Sequence, residues 1–283
     1  KIPVEDGLNW TIVDSEAKFE AMLADLEGTV SFDIETNGLY PWAEGAKVMS
    51  LGLGTRTRQW CWPLNHHESM WPAASHRKML ARVDARLRSC YFVAHNGKFD
   101  SLWMQVHYGL KWRCDFDTML GHYIIDENSR HGLKFLASLY YGAPNYDVDK
   151  DTKTGGGPLY KHCHYLAHDV YYTRKLRFTI GREVDKDPGV AQVFYDLLMP
   201  CATLYVDIEF QGVFVDLSRM HEAEVHLRKQ RDDALKRLNE AAASFGEVNW
   251  RSPKQLAKFF FEHLELDILD MTKKGAPSTA ESV

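Results

Sequence analysis

The chain has 283 residues, with 45% hydrophobic, 26% charged and 12% aromatic side chains, which excludes disorder, collagen and coiled coil. Lys+Arg 34 against Asp+Glu 39 gives a net charge of −5 and a pI near 6.2, so bulk charge excludes a broadly basic binder. No apolar run approaches the ~20 residues that span a bilayer, and the length suits one domain of ordinary size plus a smaller companion.

Thr29 to Glu35 alternates, with Val30, Phe32 and Ile34 on one face, and predicts a strand. Asn37-Gly38-Leu39-Tyr40-Pro41 follows as a turn. Lys47 to Gly54 and Gln59 to Leu64 predict two more strands, joined by Thr55-Arg56-Thr57-Arg58, so the three form an antiparallel meander. Ser75 to Ser89 has helical period and carries Arg77, Lys78, Arg82, Arg86 and Arg88, a phosphate-contacting strip or a solvated face. Tyr91-Phe92-Val93-Ala94 is a continuous apolar run, as in a buried strand.

Helices are expected over 97–108, 115–126 and 131–141, then a loop over 142–158. The loop's Gly155-Gly156-Gly157-Pro158 lacks a following Gly-Lys-Ser/Thr, so it reads as a flexible connector and not a phosphate cradle. A helix over 161–183 follows, and Asp185-Lys186-Asp187-Pro188-Gly189 marks a boundary. Beyond it the chain reads as all-helical: 190–211, a break at Gly212, a long charged helix over 217–244, and a shorter one near Ser252-Pro253. Ser252 suits an N-cap and Pro253 the first helical position.

The cysteines Cys61, Cys90, Cys114, Cys163 and Cys201 are odd in number and dispersed, which fits reduced thiols better than a disulfide framework. The start at Lys1 and the end at Ala280-Glu281-Ser282-Val283 read as those of a piece excised from a longer chain.

Asp33 and Glu35 are two apart on a strand, so their carboxylates share a face while Ile34 enters the opposite layer. Paired carboxylates repel unless a proton or cation joins them, and oxygen-only ligands favour Mg²⁺ or Mn²⁺ over zinc. A second cluster is His95-Asn96-Gly97-Lys98-Phe99-Asp100, where Asn96 suits a helix cap and Asp100 falls near the positive helix end. A third is Tyr165-Leu166-Ala167-His168-Asp169, whose Tyr165 and Asp169 share a helix face at i, i+4.

In conjunction, Asp-x-Glu on a first strand, Asn-x₃-Asp after a later strand and Tyr-x₃-Asp on a following helix resemble the proofreading 3′–5′ exonucleases with four acidic residues. These are the DnaQ-like branch of the ribonuclease H-like fold. The resemblance covers about residues 8–184 and extends to Asp117-Thr118-Met119 and His131-Gly132-Leu133-Lys134-Phe135-Leu136. Glu209 to Asp216, Asn249 to Leu256 and Lys273 to Thr279 resemble the helices that begin the thumb of family A DNA polymerases. It implies an α/β fold, a mixed sheet flanked by helices, over 1–184 and an incomplete helical start of the polymerase domain over 185–283.

For the site, the resemblance implies two divalent ions, Mg²⁺ or Mn²⁺, held by Asp33, Glu35, Asp100 and Asp169. It further implies release of 5′-mononucleotides from a single-stranded or frayed 3′ end, with Tyr165 orienting the nucleophile. The related sub-branch uses His-x₄-Asp, and His164 stands five before Asp169, so His164 is the alternative. An offset of five turns about 140° away on a helix, which favours Tyr165. Leu39 matches an apolar wedge against the terminal bases, Asn96 a contact to the terminal nucleotide, and His95 stands where relatives often carry glutamine. Tyr40 and Trp42 suit base stacking or a plain turn surface, and Phe99 suits the core. His162-Cys163-His164 and His66-His67 read as structural or surface residues, because i, i+2 spacing on a helix diverges side chains. A monomer without a membrane partner is expected, in the cytoplasm of a bacterial or phage-infected cell. The rival readings are an RNA-trimming exonuclease and a catalytically silent DNA-binding module.

Overall fold

The structure, a computed structural model, describes residues 7–280; the termini read as excised ends fall mostly outside that range. Six strands form one mixed sheet in the order β1-β4-β3-β2-β5-β6: β1 (Trp10–Ile12), β2 (Thr29–Thr36), β3 (Val48–Gly54), β4 (Gln59–Pro63), β5 (Tyr91–Ala94) and β6 (Phe116–Asp117). The expected meander is present, β2 pairing with β3 and β3 with β4 antiparallel, while β1, β5 and β6 join in parallel. The mixed sheet flanked by helices is the α/β arrangement expected.

Two layers cover the sheet. On one face Val30, Phe32 and Ile34 of β2 join a core with Phe19, Leu80, Val83 and Trp103, drawn from α1 (Glu16–Asp25), α2 (Ala73–Leu87) and α3 (Gly97–Tyr108). Packing this apolar side stabilises by roughly 25 cal/mol per Å² removed from water. The other face meets α7 (Leu159–Val184), whose Leu166, Ala167 and Val170 are fully buried. Between β2 and α7 the Ser31 hydroxyl donates to the Val170 carbonyl at 2.6 Å. A Cβ on Gly52 of β3 would lie 2.8 Å from both Leu166 and Val170 side chains, so glycine is what lets α7 approach this closely.

Several elements depart from expectation. β1 and α1 precede the first expected strand, and Ser15 caps α1 by accepting from the Lys18 amide. The helix expected over 115–126 opens as β6 and continues as α4 (Thr118–Ile125), because Asp117 ends the strand and accepts from the Met119 and Leu120 amides. After α5 (Leu133–Tyr141) the expected loop contains a helical turn, α6 (Lys150–Lys153).

The glycine run is no flexible connector. Gly155, at φ +83°, accepts from His67 at 2.9 Å, and Gly157 accepts from His66 at 3.0 Å. His162 meets the Thr152 carbonyl at 2.7 Å and the Ser50 hydroxyl at 2.6 Å. His66 and His162 are therefore buried clasps, and the segment is tied to β3 and the 64–68 turn. The basic strip on α2 is also engaged: Arg82 pairs in two places with Glu20, Arg86 donates to the Leu23 carbonyl, and Arg88 pairs with Asp84. Those residues hold α1 and the helix itself, as a solvated structural face does.

Compactness divides the chain after Gly212, into a unit ending there and one beginning at Val213. The first includes α8 (Pro188–Gln192), a π-helical stretch (Val193–Leu198) and α9 (Met199–Gln211), which follow the compositional boundary near 185. Arg113 pairs with Asp207 at 3.1 Å and Lys98 with Glu209, tying α9 to the α/β unit. Contrary to the run-length reading of the sequence, Pro188–Gln211 is long and apolar enough by length and composition to cross a membrane, an 18-residue stretch of it reaching a mean hydropathy of 1.2, although Asp196, Asp207 and Glu209 interrupt the helix. The second unit contains α10 (Leu217–Ala241) and α11 (Pro253–Ala257), with a small core of Ala242, Val248 and Phe259. Ser252 caps α11 and Pro253 opens it, as expected.

Candidate active site

β2 delivers two carboxylates to one side because a strand alternates: Asp33 and Glu35 follow Ser31 onto the α7 face. α7 delivers Tyr165 and Asp169 to the same side one turn apart. Carboxylate oxygens of Asp33, Glu35 and Asp169 lie within 4.8 Å of one another. The β2–β3 register shifts just after Glu35, a bulge at the end of the strand that carries the acids.

Asp100 stands beside this trio. The β2–β5 pairing ends at Ser31–Val93, and beyond it the Ile34 amide donates to the Asp100 carboxylate at 2.9 Å. Asp100 is 3% exposed, and its Cβ approaches from the first turn of α3. Burial pushes its carboxyl up to about 8, against the lowering pull of the Ile34 amide. Burial, then the charges of Asp100, Asp169 and Glu35, hold Asp33 well above the carboxylate range; burial and Asp169 do the same for Glu35.

The N-terminus of α3 is not capped by the Asn96 side chain. Asn96 takes a left-handed conformation, φ 59° and ψ 41°, and makes no side-chain cap hydrogen bond. Asp117 accepts from the Asn96 and Gly97 amides at 3.1 and 2.8 Å as well as capping α4, so one carboxylate holds two helix starts. The Asp117 side chain thus does the capping expected of Asn96, and Asn96 is left exposed. His95, half-buried, meets the Thr118 hydroxyl at 2.9 Å, and burial with the nearby Lys134 charge lowers it to about 3.

Two site residues lie outside the sequence expectation. Lys134, on the first turn of α5, donates to the Tyr165 hydroxyl and, at 2.8 Å, to Asp169. Tyr146, in the 142–149 segment, donates to the other Asp169 oxygen at 2.9 Å. Burial opposes the Lys134 charge, but Asp169 with Asp33 and Glu35 together outweigh it and keep the ammonium above its ordinary value. Burial and then Asp169 push the Tyr165 phenol upward, so it stays protonated. A cation on the first turn of a helix opposes the dipole, and that broken local rule was the signal for Lys134. Tyr146 offered only an aromatic in a polar loop.

Tyr165 lies 5% exposed beside the trio, whereas His164 stacks its ring on Tyr160 and meets Trp10 and His168 edge-on. Leu39 and Tyr40 are 75% and 73% exposed on the turn after β2, with Trp42 close behind. Phe99 packs against the core beside Trp103. His66, His67 and Glu68 also cluster, but His66 is spent on Gly157 and the Glu68 amide, and Glu68 accepts from Leu159.

Residues 10–185 match the 3′-5′ exonuclease family of DNA polymerase A type. The chain belongs to that family. DNA polymerase I of Pseudomonas aeruginosa is 25% identical over 99% of this chain, which spans 32% of that protein's length. The polymerase domain of Mycobacterium smegmatis Pol1, solved with primer-template DNA and a dNTP, superimposes with a TM-score of 0.69. That match has 16% identity and covers 95% of this chain and 44% of the other. The catalytic core of Trypanosoma brucei RRP6 superimposes with a TM-score of 0.54 at 16% identity, covering 70% of this chain and 52% of the other. The fold is ribonuclease H-like, and residues 10–185 form a 3′-5′ exonuclease domain of the kind found in DNA polymerase I-like proteins.

Proposed function

We propose that this chain removes 5′-mononucleotides from DNA 3′ ends by metal-dependent phosphodiester hydrolysis, as the proofreading part of a family A polymerase. The observation that carries the reading is the gathering of Asp33, Glu35 and Asp169 within 4.8 Å, with Asp100 and Tyr165 alongside. The donor set is all oxygen, and burial with the repulsion of neighbouring acids holds Asp33 and Glu35 above their ordinary range, so it suits hard divalent cations.

Asp33, Glu35 and Asp169 would hold one ion and Asp33 with Asp100 a second; when bound, Mg²⁺ or Mn²⁺ supplies a hydroxide nucleophile and neutralises charge on the phosphate. Tyr165, kept as a neutral phenol, orients the attacking water as a hydrogen-bond partner and not as a base. Leu39 offers an exposed apolar wedge for terminal bases, and Asn96 an exposed amide for the terminal nucleotide. His95 stays neutral beside Thr118 and lends the groove a polar edge without charge. The segment from Pro188 onward supports the helical start of a polymerase domain, which would hold the duplex while this unit takes the frayed strand.

The decisive experiment compares nucleotide release from single-stranded DNA and RNA with Mg²⁺, with Mn²⁺ and with EDTA. Metal-dependent release from DNA by wild type, absent in Asp33→Ala, is expected. Preferential RNA degradation supports the RNA-trimming rival, and wild-type inactivity with ample metal supports the silent module.

A further inference from the structure

Helices disfavour cations on their first turn, yet α5 places Lys134 there and aims it at the acidic cluster. Its ammonium donates both to the Tyr165 hydroxyl oxygen and to Asp169 Oδ2, and it stands 4.3 Å over the Tyr165 ring. Tyr146 occupies Asp169 Oδ1 from the other side. Each Asp169 oxygen thus carries one protein donor and keeps lone-pair capacity for a ligand. A phenol oxygen that accepts from Lys134 has a fixed polarity: its own O–H must point away from the ammonium. Lys153 also sits 5.4 Å over the Tyr165 ring, but its ammonium is paired with Asp147 at 2.7 Å.

We propose that Lys134 is a positioning residue for the hydrolysis, tying the Tyr165 hydroxyl to the Asp169 carboxylate and placing a fixed positive charge beside the acids that would hold metal. The inference rests on the nuclease reading above. Lys134 has two effects on the site. It orients the phenol that orients water, an effect on kcat. It also competes electrostatically with divalent ions for the same carboxylates, an effect on metal affinity.

The test uses Lys134→Met, which keeps an unbranched side chain one atom shorter and removes charge and donor, with wild type, Tyr165→Phe and the double variant. Nucleotide release from single-stranded DNA should show kcat lowered about 10–100-fold with KM within about twofold. On the Tyr165→Phe background the same change should cost less than about threefold, because the hydroxyl it orients is gone. Mn²⁺ titration followed by electron paramagnetic resonance without DNA should show binding several-fold tighter in Lys134→Met. Equal fold losses on both backgrounds, or an unchanged Mn²⁺ affinity, would overturn the proposal. If Lys134→Met does not fold, Lys134→Gln, which keeps a donor but no charge, should stay closer to wild type in kcat and still bind Mn²⁺ several-fold tighter; an unchanged Mn²⁺ affinity there would likewise overturn the proposal. A wild-type chain inactive on DNA sinks the nuclease reading instead, and the Mn²⁺ comparison then decides Lys134 alone.

Discussion

The Asp100 carboxyl takes the Ile34 amide beyond the point where β5 stops pairing with β2, so a side chain extends the hydrogen bonding of the strand that carries Asp33 and Glu35. Asparagine can accept the same hydrogen bond without charge. Asp100→Asn should therefore fold with near-wild-type stability in EDTA while activity falls about a hundredfold or more. Asp100→Ala should lose activity and also about 1–3 kcal/mol, because the Ile34 amide is left buried without a partner. Urea unfolding and nucleotide release measure the two effects; equal stability of the two variants would contradict this account.

Tyr165 and His164 diverge on α7, one beside the carboxylates and the other against Trp10 and Tyr160. Tyr165→Phe should lower kcat about a hundredfold through misplacement of the nucleophile. His164→Ala should keep activity within a few-fold. The reverse pattern would transfer the role to His164.

The acids set a pH signature on the metal-free chain. Asp33, Glu35 and Asp100 have raised folded-state values, so their stabilisation is complete below the unfolded carboxylate range and is lost as pH rises through the folded value, about 8 for Asp100. Between pH 6.5 and 8 in EDTA, stability should fall as pH rises, by up to about 1.4 kcal/mol per pH unit for each group titrating. Saturating Mn²⁺ should reverse that slope. Thermal unfolding across this window, with and without metal, checks the sign.

Below pH 6.5 the buried histidines work the other way. Burial depresses His162 to about 4 and His95 to about 3, so each stabilises fully above the unfolded value and loses that contribution as pH falls toward the folded one. For His162 this amounts to about 3 kcal/mol between pH 6.5 and 4. His162→Gln should flatten the acid limb of a stability–pH curve; an unchanged acid limb would contradict the depressed value.

Gly52 is expected to be intolerant of a side chain. Gly52→Ala would press its Cβ into Leu166 and Val170, costing about 1–3 kcal/mol and displacing the helix that carries Tyr165 and Asp169. Denaturant unfolding should show the loss, and kcat should fall with it although Gly52 touches no carboxylate.

Much of the site was legible in the chain because its geometry is local. A strand's period of two places Asp33 and Glu35 together, and a helix's turn places Tyr165 with Asp169. Asn96 as a cap was a fair local reading, and it failed because Asp117, 21 residues on, brings a stronger acceptor to the same amides. The glycine run failed as a flexible connector for a similar reason: its clasps, His66 and His67, lie about 90 residues away. β1 offers three residues and pairs with a strand distant in sequence, so little local signal announces it.

By itself, the sequence determined which residue types occur at helical and strand spacing, and hence the four longer strands, the long helices and the acids with their order. Only the tertiary structure decided that Lys134 and Tyr146, 35 and 23 residues from Asp169, take its two oxygens, and that Asp100 finishes β2. The difference is physical: periodicity is encoded in a dozen consecutive residues. The partner of a buried charge is whichever group the packed layers bring within hydrogen-bond reach, and burial then makes that pairing obligatory.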